Sequence, residues 1–355
     1  MSPGFKHLLL MTPAGLYCPV GDFYVDPWRS VKRAIITHAH SDHARSGSAK
    51  YLAVHPSKAL LQLRLGLDID LQTLQYGESL AIGEAVVTFF PAGHILGAAQ
   101  VRIEYRGQSA LITGDYKLQQ DATCASWEPV ACDLMVTEST FGLPVFHWPS
   151  TAQVMAEIIQ WWQENQRAGR TSVVFAYSVG KAQRILMELC HSETATGPSS
   201  LPAAFGLPGP IWLHGAMLGP MRAYRDSGVK LPDFESVSVA PSGTDFSNAL
   251  IVAPPSAQQS AWMNRFKDVS MASASGWMAI RGTRRRRNLD RGFVLSDHVD
   301  WKDLNCAVDL CNPEELWVTH GFSDVFARYQ LEKGRKALPL KTEFQGEVDS
   351  EEVQV

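Results

Sequence analysis

The stretch Thr37-His38-Ala39-His40-Ser41-Asp42-His43 puts four metal-binding side chains within six positions. It directly follows Ala34-Ile35-Ile36, an apolar run that reads as a strand. Imidazole and carboxylate are ligands that zinc and manganese accept. A strand end followed by a tight turn can fan such side chains into one small volume. Three of the chain's 11 histidines stand here. The competing reading is a polar loop that happens to be rich in histidine, and the ligand density weighs against it.

The bulk properties narrow the classes around this motif. The 355 residues suffice for one large domain or two ordinary ones, with 45% hydrophobic and 19% charged residues. A formal net charge of −4 excludes a protein that is cationic as a whole. Any nucleic-acid contact must therefore come from a local basic patch or from metal ions. The cysteines Cys18, Cys124, Cys132, Cys190, Cys306 and Cys311 form no C-x-x-C pair. They read as free thiols in a reducing compartment. Leu8-Leu9-Leu10-Met11 is too short for a signal peptide, and no apolar run has the length of a membrane span. The expected compartment is the cytoplasm, without a membrane partner.

Outward from the motif, residues 1–140 read as strand-rich. Expected strands are Phe23–Val25, Ala34–Ile36, Ala85–Phe90, Gln100–Tyr105, Ala110–Thr113 and Leu134–Thr137. Arg106-Gly107-Gln108 reads as a hairpin turn and Pro56–Leu65 as a short helix. From about residue 150 the rhythm changes. Ser150 or Thr151 caps a helix reaching Arg167, and Gly169 stops it. Ser172–Tyr177, Ile211–Leu213 and Leu250–Ala253 read as strands, and Lys181–Cys190 as a helix. Strands alternating with helices point to a parallel α/β unit. Ser192–Pro210 reads as a loop or insertion. Past residue 290, Gly292–Leu295 and Leu316–Thr319 read as strands, with helices at Trp301–Leu310 and Phe322–Lys333. The acidic tail Gly346–Val355 reads as disordered. The chain thus reads as one domain interrupted by another.

Further chemistry-bearing residues follow apolar runs: His94, Asp115, Glu138, Asp297-His298 and His320. Strand ends are where a sheet presents functional groups on loops. A lone histidine in such a place is usually structural. Five such places together with the histidine-rich turn are hard to explain that way.

In order and spacing these residues resemble the metallo-β-lactamase superfamily, and within it the β-CASP nucleases, over roughly residues 10–340. Motif 2 corresponds to His38-Ala39-His40-Ser41-Asp42-His43, motif 3 to His94 in Gly93-His94-Ile95-Leu96-Gly97-Ala98, and motif 4 to Asp115. Motif 1, an aspartate bracing the metal turn, best matches Asp26, with Asp22 as a weaker candidate. Glu138 in Thr137-Glu138-Ser139-Thr140-Phe141-Gly142 looks like motif A, His298 like motif B and His320-Gly321 like motif C. Gly180-Lys181-Ala182-Gln183 resembles a helix start of the inserted domain. Gly93–Val101 and Thr113–Val145 carry a closer similarity to bacterial ligase-associated DNA exonucleases.

The resemblance implies an α/β fold, a metallo-β-lactamase αββα sandwich with an inserted β-CASP α/β domain. The first part would span residues 1–145, the insertion 146–288, the second part 289–340 and the tail 341–355. It implies two divalent metal ions, zinc or manganese. His38, His40 and His94 would hold one, Asp42, His43 and His320 the other, and Asp115 would bridge them, with Asp26 behind the ligands. Catalytic roles would fall to His298 as general acid, Glu138 as its orienting partner, Asp42 and Asp115. The implied activity is a DNA exonuclease in repair, with a DNA ligase or helicase as partner. An RNA-processing nuclease is the first alternative, because His320 is shared with RNA-cleaving members. A small-molecule hydrolase and a non-catalytic partner subunit are the others.

Substrate contacts are read from the residues themselves. Arg281-Gly282-Thr283-Arg284-Arg285-Arg286-Arg287 is either a solvated loop or a backbone clamp, with Arg284 and Arg285 as candidates. Ser178 and Lys181 stand where a strand meets a helix start, a natural phosphate perch. Ser275-Gly276-Trp277 could set backbone amides or an indole beside a nucleotide, though a core tryptophan is the commoner role.

Overall fold

The computed structural model describes residue 5, residues 7–191 and residues 207–343. The expected loop at Ser192–Pro210, for the most part, and the tail Gly346–Val355 lie outside the described residues. Described residues fall into two units. One joins the chain up to Phe146 with the segment from His298 onward; the other is His147–Asp297.

The first unit opens with β1 (Leu10–Thr12), β2 (Gly15–Cys18), β3 (Phe23–Val25), β4 (Ala34–Ile35), β5 (Tyr51–Val54) and β6 (Leu71–Leu74), paired in that order. β3, β4, β5 and β6 run parallel. The helix expected at Pro56–Leu65 is a 3₁₀ turn, His55–Ser57, continuing into α1 (Lys58–Leu65). Pro56 stands in the first turn of this segment, where its missing N–H would have no intrahelical partner in any case. A second sheet follows with β7 (Ser79–Ile82), β8 (Ala85–Pro91), β9 (Ala99–Tyr105), β10 (Gln108–Ile112) and β11 (Leu134–Glu138). β8 and β10 are each antiparallel to β9, and β11 is parallel to β10. Therefore β8, β10 and β11 all point the same way.

In the second unit, α2 (Thr151–Arg167) starts at Ser150, whose Oγ accepts from Gln153 N at 3.2 Å. Its Val154, Ile158, Trp161 and Trp162 are buried on one face. Next come β12 (Thr171–Phe175), α3 (Lys181–His191), β13 (Ile211–Leu213), α4 (Leu218–Asp226), β14 (Glu235–Ser236), β15 (Leu250–Ala253), β16 (Val269–Ala274), α5 (Arg281–Arg286) and β17 (Arg291–Phe293). Among the described residues the strands order as β14-β13-β15-β12-β16-β17, all parallel. The strand expected at Gly292–Leu295 is β17, and its pairing with Ala272–Ala274 ties it to this sheet. Residues 289–297 thus belong to the second unit, although the outer domain was expected to resume at 289.

The chain then returns to the first unit through α6 (Trp301–Cys311), β18 (Glu315–Thr319), α7 (Ser323–Glu332) and β19 (Lys336–Pro339). Asp300 caps α6 by accepting from Asp303 N at 2.9 Å. β18 pairs parallel with β11, which completes the second sheet as β19-β18-β11-β10-β9-β8-β7. Leu16, Phe23, Ile35 and Val54 from the first sheet share one buried cluster with Val87, Phe89, Val101, Ile112 and Trp317 from the second. Burying each such side chain contributes about 1.5–3 kcal/mol. This shared apolar layer makes the two sheets a sandwich, the class expected. Among the described residues no helix is long and apolar enough to cross a membrane. The six cysteines are free thiols.

Candidate metal centre and active site

The direction of the strands assembles the site. β8, β10, β11 and β18 run in one direction, so the loops after them open at one end of the sheet. Those loops and strand ends carry His94, Asp115, Glu138 and His320. From the facing sheet, β3 and β4 are parallel neighbours. Asp26 follows one and the Thr37–His43 turn follows the other.

Asp26 grips this turn at three atoms. Its Oδ1 accepts from Thr37 N at 2.8 Å, and its Oδ2 accepts from Thr37 Oγ1 at 2.6 Å. The same Oδ2 lies 2.7 Å from His43 Nδ1. A carboxylate on one imidazole nitrogen orients the ring and leaves the other nitrogen to face a metal. Asp22 is elsewhere. It accepts from the Tyr17 hydroxyl at 3.1 Å and pairs with Lys32 at 3.4 Å on the surface.

Donor atoms converge on Asp115. Groups of potential ligand atoms lying within 4.8 Å of one another are His38, His40, His94 and Asp115; His43, Asp115 and His320; and Asp115, Glu138 and His298. Asp115 Oδ2 is 3.5 Å from His38 Nε2, 3.4 Å from His43 Nε2 and 3.9 Å from His94 Nε2. Its Oδ1 is 3.7 Å from His320 Nδ1. Asp42 is the outlying member, with Oδ2 3.7 Å from His43 Nε2 and a partly exposed side chain. His298 Nδ1 lies 3.0 and 2.8 Å from the two oxygens of Glu138, and Glu138 Oε1 also accepts from Tyr116 N at 2.9 Å.

Burial sets the electrostatics. It holds the His38 imidazole well below the ordinary histidine range, and the neighbouring His43 adds to the effect. Burial also opposes the charging of His43, yet the carboxylates of Asp115, Asp42 and Asp26 hold it well above that range. Asp115 is likewise opposed by burial, but the charges of His43 and His298 and contacts with His320 and His43 hold it well below the carboxylate range.

This environment fits divalent cations. Among the described residues, His38 Nε2, His43 Nε2, Asp115 Oδ1 and His320 Nδ1 are buried atoms with no hydrogen-bond partner. Leaving such atoms unpaired costs about 1–3 kcal/mol each, and one shared cation satisfies several together. Nitrogen and oxygen donors of this kind suit zinc or manganese. His320 sits at φ 54° and Gly321 at φ 60°, and a Cβ on Gly321 would lie 2.4 Å from Thr140 Cα. The turn that presents His320 therefore needs glycine beside it.

The expected substrate contacts fare differently. Lys181 is fully buried, its Nζ 3.6 Å from Asp297 and 4.4 Å from the centre of the Tyr177 ring. Its ammonium serves packing inside the second unit, which corrects the phosphate-perch expectation for this side chain. The helix start beside it is also engaged, because Gly180 N donates to Gln183 Oε1 at 2.7 Å. The Ser178 carbonyl accepts from Gln183 Nε2 at 2.9 Å. Arg285 is exposed on α5, and the side chain of Arg284 lies outside the described residues.

Sequence reasoning missed Thr37, the link from Asp26 to the turn, and a buried pair behind His94. Lys117 Nζ lies 2.8 Å from Asp121 Oδ2 and 3.5 Å from the His94 carbonyl. Two opposite charges four residues apart, just after Asp115, were the available signal.

Comparison with known proteins agrees with this architecture. No family model matches the chain. A protein named Probable DNA ligase from Opitutus terrae is 30% identical over 325 residues, which are 91% of this chain and 30% of that protein. An RNase J-like protein from Methanocaldococcus jannaschii is 28% identical over 182 residues, 45% of this chain and 43% of that protein. The chain thus spans less than half the length of either relative. A crystal structure of a protein of unknown function from Enterococcus faecalis V583 superposes with a TM-score of 0.56 at 13% identity, covering 88% of this chain and 79% of the other. That likeness concerns the fold alone. The expected resemblance to the β-CASP nucleases, and the expected metallo-β-lactamase fold, agree with these relatives and with this architecture.

Proposed function

We propose that this chain is a metal-dependent phosphodiesterase acting on nucleic acid, and more narrowly a DNA exonuclease in repair. The observation that carries the reading is the position of Asp115, common to the His38/His40/His94 group and the His43/His320 group. A carboxylate shared by two donor sets suits a pair of cations, zinc or manganese, with Asp42 completing the second set. When bound, such cations supply Lewis acidity toward a phosphoryl group and toward water. Asp26 and Thr37 keep the His43 ring oriented. Glu138 holds His298 by Nδ1, which leaves Nε2 to donate a proton to the departing oxygen. The histidine is thereby the general acid and Glu138 its positioning partner.

The DNA assignment draws support from the ligase-named relative, which matches 91% of this chain. That name also supports a ligase as working partner. The free thiols support an intracellular setting. The RNase J-like relative favours a second reading, an RNA-processing nuclease.

End-labelled DNA and RNA strands of matched sequence, digested side by side with zinc, with manganese and with chelator, test the proposal. Metal-dependent shortening of DNA from one end is expected. RNA cut far faster than DNA would overturn the DNA reading. Turnover of a thioester or lactam without strand cleavage would overturn the nuclease reading altogether.

A further inference from the structure

The end of β11 does more than deliver Glu138. The next residue, Ser139, is fully buried and lies against the turn that presents His320. Its Oγ donates toward two successive carbonyls, that of Thr319 at 3.0 Å and that of His320 at 2.5 Å. A hydroxyl has one proton, so the two acceptors share it. Along an extended strand successive carbonyls point to opposite edges. One hydroxyl therefore reaches both only where the chain has turned, as it has at His320, with φ 54°.

That backbone conformation is uncommon for a residue carrying a Cβ and persists where neighbours hold it. Ser139 holds it twice. Besides the hydroxyl, its carbonyl accepts from Phe322 N at 3.0 Å. Between these two contacts Gly321 has no room to shift, because a Cβ on it would lie 2.5 Å from Ser139 O. Strand pairing brings the partners together. Glu138 is in register with Thr319 across β11 and β18, and Thr319 Oγ1 donates to the Thr137 carbonyl at 3.3 Å. Ser139 and His320 are the residues that directly follow this register pair.

The residue so held is a candidate metal donor. His320 Nδ1 lies 3.7 Å from Asp115 Oδ1, and its ring stands edge-on to His43 with centroids 5.4 Å apart. In the His43, Asp115 and His320 group, Asp26 orients His43 through its ring. Ser139 acts on His320 through its main chain. His38, His40 and His94 stand on other loops.

We propose that the Ser139 hydroxyl is the positioning group of His320. It fixes the left-handed turn and thereby strengthens the hold of His43, Asp42 and His320 on their cation, without acting on the cation of His38, His40 and His94. Glu138 and Ser139 are then adjacent residues with separate duties, one holding the general acid and the other a ligand of the second cation. The metal part of this assignment rests on the two-cation reading above; the hold on the turn does not.

Two measurements on the whole chain test it, with Ser139→Ala removing only the hydroxyl. The first is hydrogen exchange in EDTA. S139A is expected to speed exchange of residues 320–322 about 5–10-fold and to leave residues 92–99, which carry His94, as in wild type. The second is calorimetric titration of chelator-stripped protein with zinc. S139A is expected to weaken one of two binding events about 10–100-fold and to spare the other, and raised metal concentration should restore the cleavage rate. Ser139→Cys, similar in shape but a weak donor, should fall between the two and answers the same questions should S139A not melt like wild type. Equal weakening of both binding events would make the serine a general structural residue and overturn the proposal. Wild-type exchange at 320–322 in both variants would overturn it as well. Because exchange is read without metal, the two readings fail separately. A wild type that binds a single cation loses the two-cation reading, and faster exchange confined to 320–322 still establishes the hold on His320.

Discussion

Glu138 holds His298 across 160 positions of sequence, with both carboxylate oxygens 3.0 and 2.8 Å from the same ring nitrogen, Nδ1. In the proposed mechanism the opposite nitrogen is the one that transfers a proton. His298→Ala is expected to slow strand cleavage about 10²–10⁴-fold with bound metal largely retained. Glu138→Gln keeps an acceptor but loses the charge, so its rate should fall between the two. Single-turnover rates beside elemental analysis check this. Loss of metal from His298→Ala would make His298 a ligand instead.

Asp115 and His40 stand in the group that supplies donor atoms within 4.8 Å of one another. Asp115→Ala and His40→Ala should each abolish activity and reduce metal content, Asp115→Ala the more because it touches both donor sets. Wild-type turnover in either variant would end the site assignment.

Asp26 and Asp22 provide a matched comparison. Asp26→Ala removes three short contacts to Thr37 and His43. It should weaken metal binding about 10–100-fold and destabilise the fold by about 1–3 kcal/mol. Asp22→Ala cuts only surface contacts and should stay within about 0.5 kcal/mol. Denaturant melts and metal titrations of the two variants decide it, and equal effects would count against Asp26 as the brace.

Metal should stabilise the protein. Zinc or manganese at 100 times its dissociation constant adds about 2.7 kcal/mol, so chelator should lower the melting temperature. The sign with pH follows from His43, whose proton the surrounding carboxylates hold well above the ordinary range. A cation must displace that proton, so metal affinity should fall as pH is lowered. Melting temperatures indifferent to metal would contradict the proposed centre.

Gly97 sits at φ 70°, and a Cβ there would lie 2.2 Å from Ser57 N and 2.3 Å from Ser57 Cα. Gly97→Ala should cost more than about 1 kcal/mol and impair activity, because the same loop presents His94. Gly215→Ala, with nothing within 4 Å of its Cβ, is the control and should be near neutral in a thermal melt.

Much of the chemistry was legible along the chain. The His38–His43 run, His94, Asp115 and His320 are conspicuous because histidines are scarce here and these candidate ligands follow apolar runs. The capped helix at 151–167 and the strands around 85–112 announced themselves by caps, periodicity and a tight turn. Strands such as Leu71–Leu74, Ser79–Ile82 and Lys336–Pro339 did not, being too short for alternation to register. Lys181 looked available for phosphate because its neighbour Asp297 lies 116 positions away in the chain. Gly292–Leu295 looked like the return of the outer domain, and only its pairing with Ala272–Ala274 assigned it to the inserted sheet.

The sequence by itself determined the candidate ligand types, their order and the family they resemble, because residue chemistry and short-range periodicity are local properties. Tertiary structure alone decided that Asp26 rather than Asp22 braces the turn, that Lys181 is withdrawn from solvent and that Ser139 meets the backbone of His320. Those outcomes depend on which strands become parallel neighbours and on which charges meet after burial. Such relations join residues far apart in the chain, and no short stretch of sequence contains them.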